Sequence, residues 1–232
     1  MGTSQSISYK FPRDNVPTKR ALLIGFDYSG QNTLKGSEND IKLAKKTLME
    51  TYGFEEKNIF PFTNGNLNSM LTSFINSSIP GDINFIHYSG HATETNNNVE
   101  ILVNEDLSII TSKQIFNILN KPNITTVLVV DACDSALIAG LPIELDKRTG
   151  ADLNSNIISL SASEDHKLSF ESIHGDATFG TFSYLLDNYV AINPDQTWTE
   201  VIRNVRTQLQ TEIPTLSVSK QSLLNERIRN VL

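Results

Sequence analysis

An unbroken apolar run that ends in a carboxylate and then in a thiol lies near the middle of the chain. Residues 126–130 read TVLVV and lead directly into Asp131 and Cys133, the single cysteine of the sequence. A run this apolar and β-branched predicts a fully buried strand of a parallel sheet. A second run over residues 82–88, DINFIHY, is followed by His91. Because ligand sites in open α/β sheets collect at the carboxyl ends of strands, the ends of these two runs are where chemistry is expected.

Predicted strands and helices alternate along most of the chain. Apolar segments predict strands over residues 19–25, 59–62, 82–89, 126–131 and 157–160, a hairpin over 99–103 and 107–110, and a last strand over 227–231. Helices are predicted over residues 37–51, 67–75, 112–119, 179–190 and 198–210, and polar loops over 91–98 and 161–178. This alternation is typical of an α/β fold in which right-handed crossovers build a mostly parallel sheet.

Composition and charge limit the class of protein. A chain of 232 residues with 39% hydrophobic and 19% charged residues is typical of one globular domain. We assign this domain to residues 19–232, after a flexible arm over residues 1–18. Within it, residues 134–156 are predicted to form an exposed loop, because glycine, proline and a charged run interrupt the periodicity. The net charge of −7, without a concentrated basic stretch, argues against a nucleic-acid partner.

The cysteine count and the hydropathy pattern bear on the compartment. One cysteine cannot form an internal disulfide, which is consistent with a reducing environment. No apolar run reaches the roughly 18 residues of a spanning helix, so the protein is expected to be cytoplasmic. The first residues, MGTSQS, match the pattern for N-myristoylation at Gly2, but so short a pattern recurs by chance and a flexible polar tail is the favoured explanation. A single acyl chain would give only marginal membrane residence.

A thiol and an imidazole at neighbouring strand ends could run acyl-transfer chemistry. The thiolate attacks a carbonyl, and a nearby imidazole first takes the thiol proton and then donates it to the leaving amine. Cys133 and His91 are 42 positions apart, so they can meet only if their strands are adjacent. The backbone N–H groups of Ala92 and Cys133 could form an oxyanion hole. The alternative is a buried apolar cysteine and an ordinary structural histidine.

Motifs around both strand ends resemble those of metacaspases, relatives of caspases. Residues 87–92 (HYSGHA) and 131–135 (DACDS) are similar to that family's histidine and cysteine motifs, and the spacing of histidine before cysteine agrees with the caspase pattern. Three further segments resemble the family, namely residues 20–25 (RALLIG), 34–40 (LKGSEND) and 214–217 (PTLS). The resemblance covers roughly residues 19–220 and implies a three-layer caspase-like α/β sandwich.

By that resemblance the protein would be a cysteine endopeptidase that cleaves after Arg or Lys. The family's pocket for the basic side chain corresponds to Ser37, Asp40, Ser89 and Asp131. Two carboxylates would pair a guanidinium and repel an acidic side chain. Alternative roles are a helix capping box for Ser37 and Asp40, and acceptance of backbone N–H groups for Asp131.

The chain departs from the family pattern at several positions. Asp134 and Ala136 replace a histidine and a glycine, and Ala92 replaces a glycine. An aspartate turned towards the thiol would disfavour the thiolate, so we expect Asp134 to point away. The family's calcium-binding carboxylates would fall at Gly140 and at about residues 112–114, where none is present. We therefore expect no bound metal or other cofactor and no calcium requirement.

Two further expectations concern processing and function class. Lys147 and Arg148 lie in the 134–156 segment, where self-cleavage and an ordinary solvated loop are both plausible. The resemblance implies a monomer that acts on peptide or protein substrates with exposed Arg or Lys. The alternative function is that of a weak or inactive homologue that acts as a binding or regulatory module, and a hydrolase of non-peptide acyl groups would leave the paired acids unexplained.

Overall fold

A mixed central sheet organises the part of the chain that the computed structural model describes, which is residues 8–30, 33–95, 97, 99–164 and 166–232. The strands in chain order are β1 (Lys19–Gly25), β2 (Ile59–Phe62), β3 (Ile83–Ser89), β4 (Ala92–Glu94), β5 (Glu100–Val103), β6 (Ile109–Thr111), β7 (Thr125–Asp131), β8 (Ile143–Glu144), β9 (Lys147–Arg148), β10 (Asn156–Ser161), β11 (Glu171–His174), β12 (Ala177–Gly180) and β13 (Thr215–Val218). The α-helices are α1 (Ser37–Glu50), α2 (Leu67–Asn76), α3 (Ser112–Leu119), α4 (Thr181–Ile192), α5 (Trp198–Gln208) and α6 (Ile228–Val231).

The strand order of the central sheet explains why its two apolar runs are neighbours. The order is β2-β1-β3-β7-β10-β13-β8-β9. The first five strands are parallel, and β13, β8 and β9 extend the sheet through antiparallel pairs. A small sheet of β4, β5 and β6 follows β3, and β11 and β12 form a hairpin. Helix α3 lies in the crossover between β3 and β7, so their carboxyl ends share one edge.

Helices cover both faces of the sheet, because successive side chains of a buried strand point to opposite sides. On one face, Ala21 and Leu23 of β1 pack in a core that includes Leu48 of α1. On the other face, Leu22 of β1 packs in a core that includes Phe74 of α2. Helices α4 and α5 join the first core and α3 joins the second. The predicted three-layer α/β architecture is confirmed.

Most predicted helices and central strands are present with small shifts at their ends, but several short elements differ. Residues 91–98 contain strand β4, and residues 161–178 contain β11 and the first half of β12 rather than only a polar loop. Residues 228–231 form helix α6 instead of a strand, and β13 was not predicted. These segments are only three or four residues long, so local periodicity could not identify them, and pairing with neighbouring strands decided the structure of β4, β11, β12 and β13.

Residues 134–156 are not a wholly exposed loop. Ile138, Leu141 and Ile143 are buried, and β8 and β9 add to the edge of the central sheet through β13. Only the segment from about residue 144 onwards is mainly half-buried or exposed. The charged residues 144–148 predicted exposure correctly for themselves, but the apolar residues before them complete the core beneath α3.

The described part of the N-terminal arm packs on the domain, which corrects the prediction of flexibility for residues 8–18. Phe11 is buried against Phe60 and Phe74, and the Arg13 guanidinium pairs with the Asp82 carboxylate. Gly2, the predicted myristoylation position, lies outside the described residues. Within the described ranges, every helix is too short or too polar to cross a bilayer.

Candidate active site

The carboxyl ends of β1, β3 and β7 lie side by side and form one edge of the candidate site. Gly25 of β1 is in register with Ser89 of β3, and Ser89 is in register with Asp131 of β7. His91 lies two residues after Ser89, and Cys133 lies two residues after Asp131. The adjacency of β3 and β7, which sequence reasoning required for these two side chains to meet, is therefore present.

A cleft of about 120 Å³ opens at this edge of the sheet. Its lining includes all the side chains that the sequence singled out for catalysis and for the basic pocket: Ser37, Asp40, Ser89, His91, Asp131 and Cys133. The hairpin of β11 and β12 and its flanking residues add Ser169, Phe170, Glu171 and Gly180 to the lining. The cleft thus has a thiol, an imidazole and two buried carboxylates in its wall.

The Cys133 thiol is half-buried and contacts the backbone of Ser169. The Ser169 N–H donates to Cys133 Sγ over 3.3 Å, and Sγ lies 3.8 Å from the Ser169 carbonyl oxygen. Burial raises the pKa of the thiol, the Ser169 N–H lowers it, and the charges of Asp134 and Asp131 raise it. Asp134 has a φ of +43° and is half-buried, and its charge acts on the thiol as a smaller cause than burial.

The backbone of His91 is held between two tyrosine hydroxyls. The His91 N–H donates to Tyr28 Oη over 3.0 Å, and Tyr88 Oη donates to the His91 carbonyl over 2.7 Å. Val103 N–H also donates to the His91 carbonyl. In the antiparallel ladder of β4 and β5 the next residue, Ala92, therefore directs its N–H away from β5. Ala92 is buried and is not among the described residues that line the cleft, so its oxyanion role stays a prediction.

Two buried aspartates form the floor of the cleft. Asp40 Oδ2 accepts from Ser89 Oγ over 2.6 Å, and its Oδ1 accepts the Gly180 N–H over 2.9 Å. Asp131 Oδ1 accepts from Ser169 Oγ over 2.7 Å, and its Oδ2 accepts the Ser183 N–H over 2.8 Å. Among the described residues, no Lys, Arg or His forms an ion pair with either carboxylate. The floor therefore holds two acids without a basic partner from the described chain.

Burial of these acids disfavours their charged forms. Burial, followed by the charge of Asp131, raises the pKa of Asp40 to about 8. Burial also raises the pKa of Asp131, while hydrogen bonds from Ser169 and Ser183 oppose that rise. Two neighbouring acids in a desolvated site disfavour each other's ionisation, because a second negative charge there is costly. A cation that enters the cleft would restore both charges.

The fold should become less stable as the pH rises through the range in which Asp40 titrates. Its pKa is 3.8 when unfolded and about 8 when folded, so between these values the folded chain binds more protons and loses stability with rising pH. We expect Asp40→Asn to remove roughly 3–4 kcal/mol of that loss between pH 5 and pH 8. Some slope should remain, because burial raises the pKa of both Asp187 and Glu212 to about 7. Urea unfolding of both chains across this range measures the difference, and parallel slopes would contradict it.

The structure decides between the alternative roles of the acids. Helix α1 is capped by Gly36 without a side-chain hydrogen bond, so the capping-box interpretation of Ser37 and Asp40 is wrong. The Asp40 carboxylate instead turns to Ser89 and Gly180. Asp131 does accept the Ser183 backbone N–H, as its alternative role required, and it also lines the cleft.

Four residues of the site escaped sequence reasoning because they lie in or beside the β11–β12 hairpin. Ser169 contacts both the thiol and Asp131. Glu171 accepts the backbone N–H groups of Lys35 and Gly36, which ties the hairpin to the start of α1. Gly180 and Ser183 donate to Asp40 and Asp131. The only local signal was the turn at Gly175, which has a φ of +64° between two short runs.

The predicted self-cleavage residues lie away from this cleft on the sheet edge. Lys147 and Arg148 form β9 and are exposed. Arg148 pairs with Asp152 over 3.1 Å, and Lys147 lies 4.0 Å from Glu144. Surface ion pairs of this kind are weak, so they would not by themselves keep the segment from a protease.

Comparisons with known proteins agree with this geometry. The sequence model of the Caspase domain matches residues 18–224. Metacaspase-4 of Arabidopsis thaliana is 32% identical over 140 residues, which cover 51% of this chain and 34% of that protein, so the chain spans about a third of that relative's length. Further plant and fungal metacaspases also match.

Two solved structures show the same fold. The protein GSU0716 from Geobacter sulfurreducens superposes with a TM-score of 0.70 at 16% identity, over 93% of this chain and 100% of that one. The Drosophila initiator caspase Dronc superposes with a TM-score of 0.63 at 16% identity, over 98% of this chain and 94% of that one. Fold, cleft and sequence match therefore agree that the chain belongs to the caspase domain family of cysteine peptidases, with metacaspases among its relatives.

Proposed function

We propose that the protein is a cysteine endopeptidase that cleaves peptide bonds after arginine or lysine. The observation that carries the proposal is the cleft itself, in which Asp40 and Asp131 lie buried beside the Cys133 thiol. A thiol alone would fit many acyl-transfer reactions. The two acids without a basic partner limit the substrate to one that brings a cation to the bond being cut.

The charge and the hydrogen bonding of the floor support the choice of a basic side chain. Each of the four carboxylate oxygens already accepts one hydrogen bond, and each keeps a further lone pair for a donor of the substrate. A guanidinium can use several of these lone pairs at once, and an ammonium fewer. We therefore propose cleavage after Arg and, more slowly, after Lys. An acidic side chain would meet like charge in a desolvated site and be rejected.

The proposed reaction uses His91 as the base and acid and Cys133 as the nucleophile. His91 takes the thiol proton, and the thiolate sulfur forms a bond to the carbonyl carbon of the basic residue. The carbonyl oxygen becomes an oxyanion that accepts the N–H groups of Ala92 and Cys133. The C–N bond then breaks, His91 returns the proton to the leaving amine, and water hydrolyses the thioester with the imidazole again acting as base.

The alternative of an inactive binding module rests on the raised pKa of the thiol. Burial is the larger cause of that rise, and the Ser169 N–H, which donates to Sγ, favours the thiolate. A basic substrate side chain in the floor would also pair with Asp131 and offset its charge, which is one of the two charges that disfavour the thiolate. These features favour an enzyme whose nucleophile becomes more reactive when a basic side chain is bound.

A panel of fluorogenic peptides tests the proposal. Peptides with Arg, Lys or Asp before the cleavable bond are assayed with the wild-type chain and with Cys133→Ala. We expect cleavage of the Arg and Lys peptides only, and a loss of at least about 10³-fold in Cys133→Ala because the nucleophile is gone. Failure of a folded wild-type chain to cut any basic peptide would favour the binding module, and cleavage after Asp would contradict the pocket assignment.

We propose that this activity does not need calcium. The positions where the family resemblance places calcium ligands are occupied by Gly140, which has no side chain, and by residues 112–114 at the start of α3. There the Gln114 side chain closes a capping box with Thr111. Among the described residues, no group of three His, Cys, Asp or Glu side chains lies close enough to hold a metal ion. The same panel run with calcium and with a chelator should give equal rates, and a strict calcium requirement would contradict this part of the proposal.

We also propose self-processing after Lys147 or Arg148, which lie in an exposed two-residue strand and carry the side chains that the pocket would accept. Intact mass spectrometry of the purified wild-type chain should show two fragments that are absent from Cys133→Ala. A matched Lys147→Gln/Arg148→Gln chain should remain whole while it still cleaves peptides. If the wild-type chain also remains whole under conditions in which it cleaves peptides, processing is not intrinsic.

We propose a monomer as the active form, which light scattering of the active chain would check.

A further inference from the structure

Tyr28 has a backbone conformation that aromatic residues rarely adopt. Its φ is +56°, which lies in the left-handed region. Glycine adopts this region readily, whereas a residue with a bulky side chain is strained there. The residue follows β1, and its side chain is 9% exposed. Strain of this kind persists only where surrounding contacts hold it, and it concentrates at functional sites. The contacts of the side chain show what the strained backbone achieves.

Those contacts are made with His91. The Tyr28 ring centroid lies 4.4 Å from the centroid of the imidazole, with 35° between the two planes. Tyr28 Oη accepts the His91 N–H over 3.0 Å and donates to the Val103 carbonyl over 2.7 Å. Burial raises the pKa of Tyr28, which keeps its hydroxyl proton in place. One side chain thus holds both the backbone and the ring of the proposed catalytic histidine.

We infer that Tyr28 is a positioning residue for His91 and that its ring stabilises the imidazolium formed when His91 holds the Cys133 proton. This inference rests on the proposed function. The face of an aromatic ring carries negative electrostatic potential and attracts a cation that lies over it. The same ring limits rotation of the imidazole about its χ angles. Tyr28 therefore acts twice, by fixing the direction of the imidazole and by favouring the protonated ring over the neutral one.

Separating the ring from the hydroxyl tests the inference. Tyr28→Asn removes the ring and suits the backbone, because asparagine tolerates a positive φ. Tyr28→Phe removes only the hydroxyl. Tyr9→Asn and Tyr9→Phe are matched controls. Tyr9 Oη also accepts a backbone N–H, that of Asn66, and the Tyr9 ring packs on Phe62. Both partners are far from Cys133 in sequence. Circular dichroism and thermal unfolding establish that each chain is folded.

Two pH profiles provide readouts that a purely structural role would not move. One is kcat on an arginyl peptide, and the other is the rate at which iodoacetamide alkylates Cys133, followed by mass spectrometry. For Tyr28→Asn we expect kcat to fall about tenfold with KM changed less than about twofold, as the loss of a buried cation–π contact predicts. The alkaline limb of kcat should move to lower pH and the acid limb of alkylation to higher pH, each by about half a unit. Tyr28→Phe should keep both limbs.

The outcomes separate this inference from the proposed function. Unmoved limbs in a folded Tyr28→Asn chain, or equal shifts in Tyr9→Asn, would overturn it. If Tyr28→Asn does not fold, Tyr28→Phe is compared with pentafluorophenylalanine at the same position, which keeps the shape of the ring and reverses its electrostatic potential. Shifted limbs in the fluorinated chain support the inference, and identical profiles refute it. Alkylation needs no peptide, so absence of proteolysis would count against the proposed function while the thiol profiles still decide the role of Tyr28.

Discussion

Replacing Asp131 by asparagine is expected to lower kcat/KM for arginyl peptides by about 10²- to 10³-fold. Asp131 is 5% exposed and lies beside Asp40, so a bound guanidinium would be paired in a desolvated site. Removing one partner of a buried charge pair costs about 2–5 kcal/mol, and the expected loss lies in the middle of that range. Most of the fall in kcat/KM should come from a higher KM, because the floor of the cleft would hold the basic side chain of the peptide. Steady-state kinetics on the arginyl peptide and on a neutral glutamine analogue measure it.

Asparagine preserves the hydrogen bonds around this position, which isolates the effect of the charge. Its amide oxygen can accept the Ser183 N–H, and its NH2 group can donate to the Ser169 hydroxyl, which rotates to accept. Asp134→Asn is the matched control. It also removes one negative charge near Cys133, and asparagine tolerates the φ of +43° at that position.

The control should behave in the opposite way. Loss of the Asp134 charge lowers the pKa of the thiol, so alkylation at pH 7 should be faster and KM for the arginyl peptide unchanged. If Asp131→Asn and Asp134→Asn weaken the arginyl peptide equally, general charge rather than a specific pocket explains the preference. If Asp131→Asn weakens arginyl and glutaminyl peptides by the same factor, Asp131 does not choose the side chain.

Adding one methyl group at Gly180 is expected to disable the pocket although no charged residue is replaced. A Cβ at Gly180 would lie 2.2 Å from Asp131 Oδ2 and 2.9 Å from Asp40 Oδ2, closer than van der Waals contact allows. Neither carboxylate can move without breaking its hydrogen bonds to Ser183 or Ser89. We expect Gly180→Ala to lower kcat/KM for arginyl peptides by at least about tenfold and to reduce the free energy of unfolding by about 1–3 kcal/mol, as overpacking usually does.

The matched control for this change is Gly150→Ala. A Cβ there would lie 2.9 Å from the Pro142 Cβ, so it also meets a close contact, but in an exposed segment away from the cleft. Peptide kinetics and urea unfolding of both variants are compared. A Gly180→Ala chain with wild-type KM for arginyl peptides would show that the substrate does not reach the two carboxylates.

The catalytic half of the candidate site could be predicted from local sequence. The runs before Asp131 and Ser89 are too apolar to be anything but buried strands, and each ends in a residue that an apolar interior does not accept without a partner. The helix predicted between them supplied the crossover that makes parallel neighbours of β3 and β7. Cys133 and His91 follow those strands closely, so little freedom remained in where they lie.

The hairpin side of the site could not be predicted in this way. Residues 161–180 are mostly polar and have no clear period, because β11 and β12 pair only with each other and bury little. Their contribution to the cleft comes from backbone groups, such as the Ser169 and Gly180 N–H groups, and a backbone donor has no residue-type signal. The short β13 and the β8–β9 edge escaped prediction for a related reason, since their pairing partners are distant in sequence.

The sequence by itself determined that buried parallel strands end in a thiol and an imidazole at one edge of an α/β sheet, because the two apolar runs must be buried and the helix between them makes a parallel crossover. No local pattern placed Asp40, from a helix more than 90 residues before Asp131, on one floor with it; the family resemblance predicted this, and the tertiary structure shows both side chains in the cleft. Only the tertiary structure decided that Gly180 and Ser183 donate to these acids and that Tyr28 packs on His91. The physical reason is that such contacts join segments distant in the chain, and their geometry follows from packing of the whole domain rather than from any local pattern.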